Sequence, residues 1–247
     1  MRSPYNIDPK TICPQTIYLD AVGTLFGVKG SVGLQYAQVA QSFNVVLDPD
    51  LVNRAFYQRF QSAPKIAFPD LAPADIPRAE YLWWRSLAED TFRLTGDLNK
   101  FANFESFFKG IYDYFATTSA WFVYEETRLA LEQWRSRGIR LGVLSNFDSR
   151  IYPVIEALDL KQYFDSITIS TEVGAAKPDA GIFVKALTKH GLEESPNLAW
   201  HIGDSFEEDY LGAEAVGIKA VWLNRDRRPS SNPAKQSAFT IDKLTSI

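Results

Sequence analysis

The chain has 247 residues, 46% of them hydrophobic and 23% charged, with a formal net charge of −4. That length and apolar content suit one large α/β domain, or a core with a smaller insert. The charge argues against a nucleic-acid surface, and no stretch reaches the roughly 18 apolar residues of a membrane span. The lone cysteine, Cys13, excludes an intrachain disulfide; with only two histidines beside it, any metal is expected to be a hard cation on carboxylates.

Met1 to Pro14 reads as a flexible lead-in, with Pro4, Pro9 and Pro14. Arg2, Asp8 and Lys10 interrupt it and no apolar run follows, so it does not resemble a signal peptide, and a cytoplasmic location is expected. Thr16 to Leu19 reads as a short buried strand, with Ile17 and Leu19 apolar and Tyr18 strand-prone. Asp20 falls where that strand ends. Residues 27–33 are glycine-rich and read as a loop. Val32, Tyr36, Val39, Ala40 and Phe43 then recur at helical spacing. Asp48 is placed to cap a second helix bearing Leu51, Ala55, Phe56 and Phe60. Residues 63–77 contain four prolines and read as an irregular link. Pro77 suits the first turn of a helix reaching about Leu94, and Asn103 is placed to cap another through Phe115. Four helices and no strand alternation describe a helical insert after the first strand.

Strands and helices then alternate. Helices are expected over 125–137, 151–158, 179–190 and 207–216, and strands over 140–144, 166–170, 198–202 and 219–223. Gly138, Gly191 and Gly217 stop three of the helices. This alternation predicts a parallel sheet of at least five strands with right-handed crossovers. Arg225, Arg227 and Arg228 read as a solvated loop. His201 reads as structural, and His190 as a surface or capping residue.

In such a sheet, ligands bind at the carboxyl ends of the strands. Asp20, Ser145, Lys177 and Asp204 all follow strands, which brings two carboxylates, a hydroxyl and an ammonium to one edge. Two carboxylates invite a cation such as Mg²⁺. A cation with Lys and Ser donors balances a phosphoryl group and its developing charge. Gly23 permits close backbone approach, and Thr24 adds a hydroxyl. Read singly, each residue has a simpler role as a cap, turn or surface group.

The stretch Asp20-Ala-Val22-Gly23-Thr24-Leu-Phe resembles the first motif of the haloacid dehalogenase (HAD) superfamily, Asp-x-Asp-Gly-Thr. Ser145 and Asn146, in Gly-Val-Leu-Ser-Asn-Phe-Asp, resemble its second motif. Lys177, in Ala-Ala-Lys-Pro-Asp, resembles the third; Asp204 and Asp209, in Gly-Asp-Ser-Phe-Glu-Glu-Asp, resemble the fourth. The match spans about 16–224 outside the helical insert, and its details are most similar to the REG-2-like, HAD-like hydrolase domain-containing 3 branch. The resemblance implies a Rossmann-like core over 1–26 and 118–247 and a helical C1-type cap over 27–117. It also implies a nucleophilic Asp20 supported by Thr24. Ser145, Lys177, Gly23 and Asn146 would bind the phosphoryl group, and Mg²⁺ would be held by Asp20, the Val22 carbonyl, Asp204 and Asp209.

Val22 stands where the motif has its second Asp, the general acid/base. A positioned acid/base contributes roughly 10²–10⁴-fold. The resemblance therefore implies a Mg²⁺-dependent hydrolase of weak or unusual activity on a small phosphorylated substrate. Three alternatives remain. A 2-haloacid dehalogenase would tolerate the missing acid, although only Lys29 lies near as a substrate-binding cation. A phosphonate hydrolase would need a cap lysine, Lys29 or Lys65. A catalytically impaired binding or regulatory protein would keep only the fold. In the insert, Trp83, Trp84, Phe107, Phe108 and Tyr112 lie at helical spacing and read first as its own core, then as pocket lining.

Overall fold

A computed structural model describes residues 13–227 and 231–247. The lead-in before Cys13 and Arg228 lie outside the described residues. The first strand, β1 (Thr16–Leu19), is buried on both faces. Ile17 and Leu19 pack into one apolar cluster and Tyr18 into another. That is the environment of a central parallel strand covered by helices on both sides.

Next comes β2 (Phe26–Val28), then α1 (Val32–Gln41), α2 (Pro49–Ser62), α3 (Ile76–Thr95) and α4 (Phe104–Tyr114). The chain returns through β3 (Trp121–Val123), antiparallel to β2. The expected caps form: the Asp48 side chain accepts from the amides of Asp50 and Leu51, and Asn103 accepts from Ser106. Tyr36, Phe56, Phe92, Phe107 and Ile111 gather into a separate apolar cluster that holds the four helices together. Two differences from expectation fall here. Residues 27–28, expected within a loop, belong to β2, and Trp121–Val123 is its partner. A three-residue strand is too short for its alternation to stand out.

The remainder alternates: α5 (Thr127–Ser136), β4 (Arg140–Ser145), α6 (Ile151–Ala157), β5 (Ser166–Ile169), α7 (Ser170–Val173), α8 (Ala180–Thr188), β6 (Ala199–Gly203), α9 (Gly212–Ala215), β7 (Lys219–Leu223), α10 (Pro233–Ser237) and β8 (Thr240–Ile241). Six strands form one parallel sheet in the order β5-β4-β1-β6-β7-β8. β1 thus lies between β4 and β6, with Leu19 level with both Val143 and Ile202. Asp20, Ser145 and Asp204 consequently emerge side by side at one edge.

The helix expected over 207–216 is two pieces, a π-helical turn over Phe206–Leu211 and then α9. The wide turn carries Asp209 back against β6, where a β-carbon on Gly203 would collide with the Asp209 carboxyl carbon. His190 is buried, its ring edge-on to Tyr18 at 5.4 Å and bonded to Ser166 at 2.7 Å, which corrects its reading as a surface residue.

Candidate active site

The turn after β1 closes on its own backbone. The Leu25 and Phe26 amides donate to the Ala21 carbonyl at 2.8 and 3.2 Å, and the Gly23 amide donates to Phe26 at 2.8 Å. Gly23 has a φ of 91°, and a β-carbon there would stand 2.5 Å from an Asp204 carboxylate oxygen. Both conditions call for glycine. Arg225, after β7, braces the turn from outside. It donates to the Gly23 carbonyl at 3.0 Å and the Thr24 carbonyl at 2.7 Å, pairs with Glu126 at 2.5 Å, and stacks over Tyr124 at 3.7 Å. Its reading as part of a solvated loop is therefore corrected; Arg227 does reach solvent, where it pairs with Asp242.

At the strand ends, Asp20 accepts from Ser145 Oγ at 2.9 Å and from Lys177 Nζ at 2.7 Å. Lys177 comes from the loop between α7 and α8 and is buried. It also donates to the Leu144 carbonyl at 3.1 Å and to Asp209 at 2.5 Å. Asp209 takes two further bonds, from the Ser205 amide at 2.9 Å and from His201 Nε2 at 2.8 Å. Carboxylate oxygens of Asp20, Asp204 and Asp209 all lie within 4.8 Å of one another.

Charge at this site is unbalanced. Burial opposes the Lys177 ammonium, but Asp20 and Asp209 outweigh it and hold its pKa above the ordinary lysine range. Burial also works against the Asp209 anion, yet Lys177 and the His201 bond keep that carboxyl well below the usual range. Asp20 is raised, by burial first and by Asp209 next, despite Lys177. Asp204 is pushed up to about 7 by lost hydration and by the charges of Asp20 and Asp209. Its side chain still meets cavity water, which screens part of that effect. His201 is lowered by burial and therefore neutral, with Nε2–H donating to Asp209. Three carboxylates thus face one ammonium. An all-oxygen donor set with excess negative charge fits a hard divalent cation, and Asp20, Asp204 and Asp209 are the groups that can hold one.

The other residues singled out in the sequence are placed as follows. Val22 lines the cavity above the cluster. Asn146 lines it too, but its amide is engaged: it donates to the Lys177 carbonyl and to Glu208, both at 3.0 Å, and accepts from the Lys177 amide at 2.7 Å. Thr24 is fully buried, outside the cavity lining, with no hydrogen-bond partner for its hydroxyl among the described residues. Glu208, which sequence reasoning did not single out, bonds Asn146 from the core and Lys65 from the irregular link.

A second polar group ties the helical block to the core. Glu80 of α3 accepts from the Ser149 amide at 3.0 Å, from the Ser149 hydroxyl at 2.5 Å and from Thr171 at 2.6 Å. Trp84 Nε1 donates to Asp148 at 2.6 Å, and Asp148 pairs with Arg150. Between block and core lies a cavity of about 760 Å³ with Asp20, Ser145 and Lys177 on its lining. Of the five insert aromatics, Phe107 and Phe108 are buried core, while Trp83, Trp84, Phe108 and Tyr112 also border the cavity.

Residues 14–217 match the model of the haloacid dehalogenase-like hydrolase family. The haloacid dehalogenase-like hydrolase domain-containing protein 3 of Mus musculus is 34% identical over 199 residues, which are 81% of this chain and 77% of that one. The Rhythmically expressed gene 2 protein of Drosophila melanogaster is 30% identical over 207 residues, 81% and 79% of the two chains. Among solved structures, a HAD phosphatase from Thermococcus onnurineus superposes with a TM-score of 0.62 at 23% identity, covering 94% of each chain. The HAD-hydrolase YfnB of Bacillus subtilis, solved bound to magnesium, superposes with a TM-score of 0.68 at 15% identity, covering 94% and 96%. The family model covers most of the chain, and relatives at 30% identity or more cover over two thirds of it: the chain belongs to the haloacid dehalogenase-like hydrolases.

Proposed function

We propose that this chain is a phosphohydrolase acting in the cytoplasm on a small phosphorylated molecule. In this reading the Asp20 carboxylate attacks phosphorus and the ester oxygen leaves with its electron pair. Water then cleaves the aspartyl phosphate, releasing inorganic phosphate and restoring Asp20. Ser145 and Lys177 share their donors between Asp20 and the phosphoryl oxygens, while Gly23 and Asn146 border them. Thr24 supports the turn. Mg²⁺ held by Asp20, Asp204, Asp209 and the Val22 carbonyl would neutralise phosphoryl charge. The helical block over 27–117 acts as the cap on a core formed by 1–26 and 118–247. The observation that carries the reading is the Ser145 and Lys177 bonding to Asp20 inside a three-carboxylate cluster on a cavity wall.

Val22 supplies no proton, so the ester oxygen must leave as an anion. Aryl or acyl phosphates are therefore preferred over alkyl phosphates. The wording of the first motif also favours 2-haloacid dehalogenation, since halide needs no proton. Charge weighs against it. Lys29 donates to the Thr118 carbonyl and is not on the cavity lining, and Asp204 and Asp209 would repel a haloacid carboxylate.

A panel of phosphomonoesters, acyl phosphates, phosphonoacetaldehyde and 2-haloacids, assayed with and without Mg²⁺, separates these chemistries. Asp20→Asn should abolish turnover. Val22→Asp should raise kcat on alkyl phosphates by about 10–100-fold, part of what a positioned acid/base contributes. Inactivity of wild type and V22D alike on the whole panel, in folded Mg²⁺-loaded protein, would leave a binding role as the better account.

A further inference from the structure

The cavity wall beyond Asp20 is aromatic. Twelve of the residues lining the cavity are Phe, Tyr or Trp. On one stretch, the rings of Phe56 and Phe60 lie 5.8 Å apart and 13° from parallel, and Phe60 and Trp84 lie 6.2 Å apart at 20°. Tyr57 and Phe60 are 47% and 41% exposed and lie on the cavity lining. Apolar ring area at a concave site is area a ligand can cover.

Charge on the same lining is spent. Lys65 pairs with Glu208, Lys177 with Asp20 and Asp209, and Arg150 with Asp148. The Arg150 guanidinium is also covered by the Tyr112 and Trp84 rings, at 4.0 and 5.0 Å. Among the described residues those are the cations on the lining, so a carboxylate or second phosphate on the leaving group would have to compete with carboxylates that already hold them. Val22 faces the same space, and it demands a leaving group that departs unprotonated. A phenol, with a pKa near 10 as in tyrosine, leaves as an anion far more readily than an alkyl alcohol.

We propose that the substrate is an aryl phosphate with no charge beyond its phosphoryl group, whose ring stacks against the Phe60–Trp84 part of the wall while its phosphoryl group meets Asp20. This rests on the phosphohydrolase reading and goes beyond it by choosing aryl over acyl esters. The Asp20–phosphorus bond forms as the phosphorus–phenolate bond breaks. The phenolate leaves with the electron pair and takes a proton from solvent. Water then hydrolyses the aspartyl phosphate.

The test is steady-state kinetics of the full chain with Mg²⁺ on 1-naphthyl, phenyl, 4-carboxyphenyl and acetyl phosphates. KM should fall from acetyl to phenyl to naphthyl phosphate, by about tenfold overall from ring stacking and burial, and should rise again with the 4-carboxylate. Phe60→Ala, at a half-exposed position, should raise KM for naphthyl phosphate about tenfold more than for acetyl phosphate, and Phe60→Leu less. Asp20-dependent turnover of acetyl phosphate with a KM equal to or below that of the aryl esters would overturn the aryl assignment and leave the phosphohydrolase reading standing. Failure on every ester, acetyl phosphate included, would overturn both. The wild-type series decides the matter even if a variant misfolds.

Discussion

In the proposed mechanism a single side chain, Val22, separates this site from one with its own proton donor, and the remaining charges must be balanced without it. Asp204 shows the imbalance. Its pKa of about 7 in the folded chain lies above the roughly 4 of an unfolded aspartate. A carboxyl that holds its proton more tightly when folded contributes stability that is complete below about pH 4 and lost as the pH rises through 7. Asp209 has the opposite sign: its depressed pKa contributes stability that is present above about pH 4 and lost as the pH falls further. With chelator present, the melting temperature should therefore decline between about pH 4 and 7, and Asp204→Asn should remove part of that decline. An identical slope in D204N and wild type would show that Asp204 is not under electrostatic strain. Arg225 makes a second point at this scale. It reaches across 202 positions to the Gly23 carbonyl, so the turn after Asp20 is braced by a residue that no local pattern reveals.

At the scale of elements, α3 joins the helical block to the core through Glu80 and Trp84. Burial raises the Glu80 pKa against the hydrogen bonds from Ser149 and Thr171. Those donors become unsatisfied if it is removed. Glu80→Ala should cost about 1–3 kcal/mol. In a domain of this size that is a fall of roughly 2–12 °C in melting temperature, readable by calorimetry. Glu80→Gln should lose less, because its carbonyl still accepts one bond. The elements themselves were readable in proportion to their length. Helices with caps at Asp48 and Asn103, and β7 with its run of apolar residues, stand out because pattern and propensity agree over many residues. β2, β3 and β8 span two or three residues each and are set by partners distant in sequence, so no periodicity marks them. The change from π-helical turn to α9 is likewise invisible locally, because the bonds that hold Asp209 against β6 and Lys177 are tertiary contacts.

At the scale of the molecule, the parallel sheet explains why the residues of the candidate site's edge could be read in advance and its surroundings could not. Parallel strands deliver their carboxyl ends to one side, so Asp20, Ser145 and Asp204 share a neighbourhood as soon as the strands are recognised. The cavity instead draws on α2, α3, α4, the irregular link and the core, and only folding shows which rings face it. The same assembly concentrates Asp20, Asp204 and Asp209 between two strand ends, where the unfolded chain holds no comparable cluster. A cation bound there should therefore stabilise the fold by linkage. At one hundred times its Kd, Mg²⁺ should add about 2.7 kcal/mol. For a chain of this length that is a rise of roughly 5–11 °C in melting temperature. Titration calorimetry should give one site, and D204N should weaken binding and reduce the thermal shift together. Loss of the shift with binding intact would place the cation elsewhere. Absence of both in wild type would remove the metal from the mechanism and strengthen the 2-haloacid alternative, whose halide leaving group needs neither proton nor cation.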